Sequence, residues 1–195
     1  MSKNKKVNAA ILIIGNEILS GRTQDTNTTT LALWLNSIGI KVNEVRVIPD
    51  VEQTIVDTLN VLRKFNDYVF TTGGIGPTHD DITAQSVSKA FNRKYEIHKE
   101  AFEILDSYYK KGEFNKGRQR MAWMPENAKL ILNPTSGAPG FSVENVFCLP
   151  GVPSIMKSML GGLKNKLAGG EPILSHTINL RTVESEIANS LMKVQ

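Results

Sequence analysis

One cysteine, Cys148, stands in a chain of 195 residues. A single thiol cannot close an internal disulfide and fits a reducing compartment, and its setting in VFCLP reads as a small buried apolar residue with no catalytic role. The three histidines, His79, His98 and His176, form no group with one another or with Cys148, so a zinc site lacks a ligand set. No serine sits in a nucleophile-elbow pattern, which removes support for Ser-His-Asp chemistry. Also missing is any apolar run long enough to span a bilayer as a helix. The basic start MSKNKK runs straight into VNAAILIIG, without the length or the small-residue cleavage site of a secretory signal, and a cytoplasmic protein is expected. Internal repeats and low-complexity linkers are absent as well.

What is present is ordinary in amount. The length suits one full hydrophobic core and is short for two independent domains. Hydrophobic residues make up 41% and charged residues 22%, as in common globular proteins. The net charge of +4 comes partly from Lys3, Lys5 and Lys6, and the other bases are scattered except in YKKGEFNKGRQR, Tyr109 to Arg120. That segment reads as a solvated surface, so nucleic acid is not an expected partner. Tyr108, Tyr109 and Phe114 among its bases leave open the stacking of a flat aromatic ligand.

Strand and helix patterns alternate along the first half. Val7 to Ile14 is a nearly continuous apolar run, as in a strand buried on both faces. Leu31, Trp34, Leu35 and Ile38 fall at helical spacing, with Asp25 and Thr26 as caps and Gly39 as the stop. Lys41 to Ile48 predicts a second strand. Ile55, Leu59 and Leu62 mark a helix opening on Asp50, with Gln53 three residues on in a capping-box pattern. Tyr68 to Thr72 predicts a third strand, and Ala84, Val87 and Phe91 a third helix. Later, Phe102, Leu105 and Tyr109 predict a helix, Lys129 to Leu132 a strand, and Gly140 to Leu149 a hairpin. Ile173 to Leu180 and Val183 to Val194 read as a closing strand and helix. The expected fold is α/β, with a mixed, mostly parallel sheet.

Four strand ends converge on candidate loops: GNEILSG, PD, TTGGIGPTHDD and LPGVPS. In an open parallel sheet the crevice at the carboxyl ends of the strands takes the ligand, so these stretches are expected to share a pocket. GGIGPTH is neither a P-loop nor a dinucleotide fingerprint. Asp80 and Asp81 directly after it, and Asp50 after the second strand, read either as helix caps or as ligands of a cation. A divalent cation held between carboxylates and phosphate oxygens explains why acids follow a phosphate-type glycine loop. Asn16 and Glu17 read as orienting ligand or water, or Glu17 as an ordinary helix-starting acid, and His79 reads as a phosphate contact, a proton shuttle or a plain loop residue.

At these residues the chain resembles the molybdopterin-binding domain family, shared by MogA, MoaB and the N-terminal part of the competence/damage-inducible protein CinA. The resemblance runs from about Ala9 to about Met159, and TTGGIGPTHDDIT is its most specific part. The Gly-Pro-Thr-x-Asp-Asp form points to the CinA side and is also similar to the domain attached to eukaryotic FAD synthases. The resemblance implies a three-layer α/β/α fold and a pocket for a nucleotide or pterin phosphate. It assigns Asp50 and Asp81 as catalytic, metal-holding residues. It assigns Thr72, Gly73, Gly74, Gly76 and Thr78 to the ligand loop; Gly15, Asn16, Glu17 and Asp80 are added as ligand-binding candidates from their place after the strands. Pro150, Gly151 and Pro153 match the second loop. CinA-like sequences usually have Gly-Asp-Glu where this chain has Gly15-Asn16-Glu17, and commonly a glutamate at Ile155.

The resemblance implies hydrolysis of a nucleotide pyrophosphate, of ADP-ribose or FAD type, with Mg²⁺, Mn²⁺ or Co²⁺ as cofactor. The alternatives are molybdopterin adenylyl transfer in molybdenum cofactor biosynthesis and a module that binds pterin or nucleotide without turnover. The deamidase domain of full-length CinA has no counterpart, so nicotinamide-nucleotide deamidation is not expected. Residues 1–170 are expected to form the main domain, and 171–195 the start of a small, truncated C-terminal α/β subdomain. A homo-oligomer is also implied, with Met121, Trp123 and Met124 of RQRMAWMP expected either in the contact or as a cover over the core.

Overall fold

The fold is described from a computed structural model, covering residues 6–172, 179 and 181–193. Its centre is strand β1 (Val7–Ile14), buried from Ala9 to Ile14. Side chains alternate across a strand, so the two halves of this run serve two separate cores. Ala9, Ile11 and Ile13 pack with Leu31 and Leu35 of helix α2 (Asn27–Ser37) and with Met156 and Met159 of a late helix. Ala10, Leu12 and Ile14 pack with Ile55, Leu59 and Leu62 of α3 (Glu52–Phe65) and with Ala84 and Val87 of α4 (Thr83–Ala90). Two covered faces make three layers, and each fully buried Leu or Ile contributes roughly 1.5–3 kcal/mol.

Between β1 and α2 lies the one-turn helix α1 (Asn16–Leu19). The remaining strands of the main sheet are β2 (Ile40–Ile48), β3 (Tyr68–Thr72), β6 (Lys129–Ile131), β7 (Gly140–Val143) and β8 (Val146–Leu149). A separate antiparallel pair joins β4 (Tyr95–Ile97) to β5 (Trp123–Pro125). The main sheet has the order β2-β1-β3-β8-β7-β6. The first four of these neighbours pair in parallel, and β7 runs antiparallel to both β8 and β6. The expected hairpin is therefore β7–β8, and it makes the sheet mixed. Phe70 and Phe147 are register partners on β3 and β8, and their rings stack at 5.1 Å. Helices α5 (Lys99–Tyr108), α6 (Lys116–Arg120), α7 (Pro153–Leu160) and α8 (Glu184–Leu191) complete the set, with a 3-10 segment at Gly161–Lys166. The strand expected at Ile173 to Leu180 lies outside the described residues but for Asn179. Among the described residues no helix is long and apolar enough to cross a membrane.

Several local expectations are corrected. The capping box at Asp50 and Gln53 does not form: α3 starts at Glu52 after Val51, with no side-chain cap. Asp25 does cap α2, accepting from the backbone N–H of Asn27 at 2.9 Å and Thr28 at 3.3 Å, whereas Thr26 makes no side-chain cap bond. The Met121–Met124 cluster divides. Met124 is 2% exposed and belongs to the core, while Trp123, one residue along β5, is 36% exposed. The aromatic residues of the basic segment mostly pack inward: Tyr109 stacks on Phe114 at 6.1 Å, and Phe102 meets Phe114 edge-on at 4.9 Å. Cys148 is fully buried, and burial pushes its thiol up to about 12, in keeping with an inert apolar role.

Candidate functional site

The parallel strands β2, β1, β3 and β8 lie side by side, so the residues after them meet along one sheet edge. Backbone hydrogen bonds tie those ends together: Gly15 N donates to Ile48 O at 3.1 Å, and Gly73 N to Leu149 O at 3.2 Å. After β3 the chain turns through Gly73 (φ 100°) and Gly74 (φ 66°), a conformation that side chains disfavour. Space also demands glycine there. A Cβ on Gly73 would lie 2.1 Å from the backbone oxygen of Ile14, and one on Gly74 2.2 Å from Thr83 Oγ1. Thr83 fixes the far end of the turn, its N–H donating to Gly74 O at 2.9 Å and its hydroxyl to Gly73 O at 2.9 Å.

The aspartates are not helix caps. Helix α4 begins at Thr83 after Ile82, without a side-chain cap. Instead, Asp81 Oδ2 accepts from Thr78 N at 2.8 Å and from the Thr78 hydroxyl, closing the loop on itself. Its carboxylate leans on Gly76, where a Cβ would sit 2.7 Å from Oδ2. Asp50 Oδ2 accepts from Asn16 N at 2.8 Å, linking the loops after β2 and β1. Burial raises the Asp50 carboxyl above its ordinary value, the Asn16 N–H opposes that shift, and the charges of Glu17 and Asp80 add to it. Glu17 folds back over Gly15, with its Oε1 2.6 Å from where a Gly15 Cβ would lie. Asp50, Glu17 and Asp80 thus form an acidic rim, whose repulsion a bound cation would relieve.

Beside this rim runs a groove of about 550 Å³, a size typical of small-ligand sites. Glu17, Gly73, Gly74, Gly76, Thr78 and Asp81 line one part of it, and Pro150, Gly151 and Pro153 another. Thr72 lines a smaller adjoining recess of about 60 Å³. Gly15, Asn16, Asp50 and Asp80 do not line the groove. His79 is exposed on the loop, whereas His98 is structural: it caps α5 through Ala101 N and contacts Ala128 O at 3.1 Å. His176 lies outside the described residues.

Two contributions escape the sequence patterns. Asn27, 5% exposed at the start of α2, donates from Nδ2 to Gly151 O at 2.8 Å and to Thr72 Oγ1 at 3.4 Å. It clamps the two ligand loops, which run close enough that a Cβ on Gly151 would lie 3.4 Å from Gly73 Cα. The second is the loop 133–139, read from sequence only as turn-rich. Asn133, Ser136, Ala138 and Pro139 line the groove. Asn133 staples this loop, accepting from Thr135 N and Ser136 N and donating to Ala138 O. A run of Asn, Pro, Thr, Ser and Gly held by one asparagine was the available signal.

Residues 10–170 match the sequence profile of a family described as a probable molybdopterin binding domain. The chain belongs to that family. All the candidate site residues, from Gly15 to Pro153, fall inside the matched span. The molybdopterin-binding domain is 35% identical over 184 residues to a protein of Archaeoglobus fulgidus, covering 94% of this chain and 79% of that one. It is 39% identical over 157 residues to a CinA-like protein of Geotalea uraniireducens, covering 77% of this chain and 37% of that one. The chain therefore spans little more than a third of that relative. A solved structure of a CinA protein of unknown function from Thermoplasma acidophilum superposes with TM-score 0.76 at 32% identity, covering 82% of this chain and 96% of that one. The molybdopterin biosynthesis enzyme MoaB of Thermus thermophilus shares the fold, with TM-score 0.57 at 18% identity over 83% of this chain and 91% of that one.

Proposed function

We propose that the domain hydrolyses nucleotide pyrophosphates of the ADP-ribose or FAD type with a divalent metal, in a cytoplasmic homo-oligomer. One observation carries this reading: a single groove combines a positive-φ glycine turn with the carboxylates Glu17 and Asp81, and Asp50, bonded to Asn16 N, adds its charge beside Glu17. Among the described residues no group of three or more His, Cys, Asp or Glu is arranged to hold a metal ion. Carboxylates offered singly or in pairs still suit Mg²⁺, Mn²⁺ or Co²⁺ when substrate phosphates supply other oxygens. Asp81 and Asp50 would hold that ion with help from Glu17, and when bound it would neutralise pyrophosphate charge and polarise the attacked phosphorus. The glycine turn brings backbone close to the phosphates, where the N–H groups of Gly74 and Gly76 oppose developing negative charge while that of Gly73 stays with Leu149 O. The Asp50 carboxylate, held through Oδ2 by the Asn16 N–H, orients the attacking water. The water oxygen bonds to phosphorus as the bridging P–O bond breaks, giving AMP and either ribose 5-phosphate or FMN.

Adenylyl transfer to molybdopterin is the second reading, favoured by the family's description. The test is product analysis with ADP-ribose, FAD, and molybdopterin plus ATP, each with Mg²⁺, Mn²⁺ and Co²⁺. AMP released from either dinucleotide supports hydrolysis. Pyrophosphate released from ATP only when molybdopterin is present supports transfer, and binding without turnover of any substrate supports a non-catalytic module. Light scattering tests the assembly, which a stable monomer overturns.

A further inference from the structure

Beyond the glycine turn, on the side away from Pro150 and Gly151, the surface continues into a second recess of about 310 Å³ lined by Gln85, Tyr95, Arg120 and Trp123. The two regions are contiguous, since Gly74, Gly76 and Asp81 also border a narrow gap shared with Tyr95, Arg120 and Trp123. Pairing of β4 with β5 builds this recess, setting the Tyr95 and Trp123 rings 5.4 Å apart and 47° to each other. The neighbouring core residue Met124 locks β5 in place, so the exposed Trp123 ring is presented from a fixed backbone. Arg120 stands at the edge of the rings, near enough that its charge acts on the Tyr95 phenol. Its neighbour Arg118 is engaged by Glu113 and by the Tyr109 ring at 4.2 Å, whereas Arg120 has no ion pair among the described residues. Rigid aromatic rings, an uncommitted guanidinium and an amide are the chemistry that stacks a flat heteroaromatic ring and attracts its anionic phosphate.

We infer that the Tyr95–Trp123 recess is a second ring subsite, so that the groove takes a pyrophosphate carrying two heteroaromatic groups in preference to one carrying a single base. This rests on the pyrophosphatase reading of the groove and narrows its substrate class from ADP-ribose or FAD to compounds with two heteroaromatic groups, of which FAD is the probe. A base at Trp123 places its phosphate toward Asp81, with the other nucleoside extending along the 550 Å³ groove.

Calorimetric titration of the full chain with FAD, FMN and ADP-ribose tests the inference, with fluorescence of Trp123 followed in a Trp34→Phe background. FAD should bind at least about tenfold more tightly than ADP-ribose, and FMN should quench Trp123. Trp123→Ala should abolish the FAD advantage while leaving ADP-ribose affinity unchanged, Trp123→Phe should retain most of it, and Arg120→Gln should weaken FAD severalfold. Equal affinity of the parent for FAD and ADP-ribose, or unaltered FAD affinity in Trp123→Ala, overturns the subsite. FMN quenching without hydrolysis of any pyrophosphate keeps the subsite and refutes the pyrophosphatase reading, and absence of all binding refutes both. If Trp123→Ala lowers the mass seen by light scattering with FAD affinity intact, the face is a contact between copies of the chain, and the inference fails.

Discussion

Replacing Asp81 by asparagine separates a ligand-site carboxylate from a loop strut, because the structure gives it both opportunities. Oδ2 accepts the N–H and hydroxyl of Thr78, which an asparagine carbonyl can also accept. What is lost is charge assistance, roughly half the strength of each bond, or about 1 kcal/mol per bond and about 2 kcal/mol over both before solvent competes. Thr78 is exposed, and competing water reduces that figure to about 0.5–1 kcal/mol. For a chain of this length the melting temperature should fall by about 1–4 °C. The catalytic effect should be much larger, since losing one electrostatic contributor to a charged transition state costs about 100- to 1,000-fold in turnover. AMP release from FAD with Mn²⁺, measured beside a thermal melt, gives both quantities on one preparation. A variant that retains turnover within a fewfold of the parent but melts about 8 °C lower would falsify the assignment of Asp81 to the chemistry.

Asp50→Asn should raise the melting temperature at neutral pH while abolishing turnover. The folded carboxyl binds its proton more tightly than the unfolded one, so its stabilising contribution is complete below the unfolded pKa and is lost as pH rises through the folded value. Melts from acid to neutral pH should show a shallower decline in the variant, and an identical slope would remove burial and the Glu17 and Asp80 charges as the cause. Asn27→Ala strips the partner from the Gly151 carbonyl and should cost about 1–3 kcal/mol, weakening ligand affinity more than turnover, as titration and kinetics together would reveal. An unchanged melt and affinity would mean that the two loops hold their spacing without it. Cys148 should resist a thiol reagent at pH 8 in the folded chain and react only in denaturant. Rapid labelling of native protein would contradict its burial.

The layers were legible because β1 is apolar at both parities, which only a strand covered on two faces requires. The glycine turn was legible too, since Gly73 and Gly74 combine positive φ with space for no side chain. Direction and distance were not. The loop 133–139 joins the groove because β6 runs the same way as β8, bringing its carboxyl end to the same edge, and a hairpin pattern does not reveal that direction. Asn27 belongs to no pattern in the sequence, and its partner Gly151 is 124 positions away.

The sequence by itself determined where chain direction changes, which segments bury one face or two, and which loops carry glycine and acid, because these follow from local sterics and the two- and 3.6-residue periods. Only the tertiary structure decided what each polar side chain does. Asp50 faced two offers, a cap on α3 a few residues away and the Asn16 N–H 34 residues away, and took the distant one. Met124 and Trp123 parted in the same way: paired with Glu96 and Ile97 on a separate two-stranded sheet, one turns into the core and the other to the surface. A hydrogen bond or a buried face is worth the same whether its partner is near or far in sequence, so strand pairing, which no local pattern records, makes the choice.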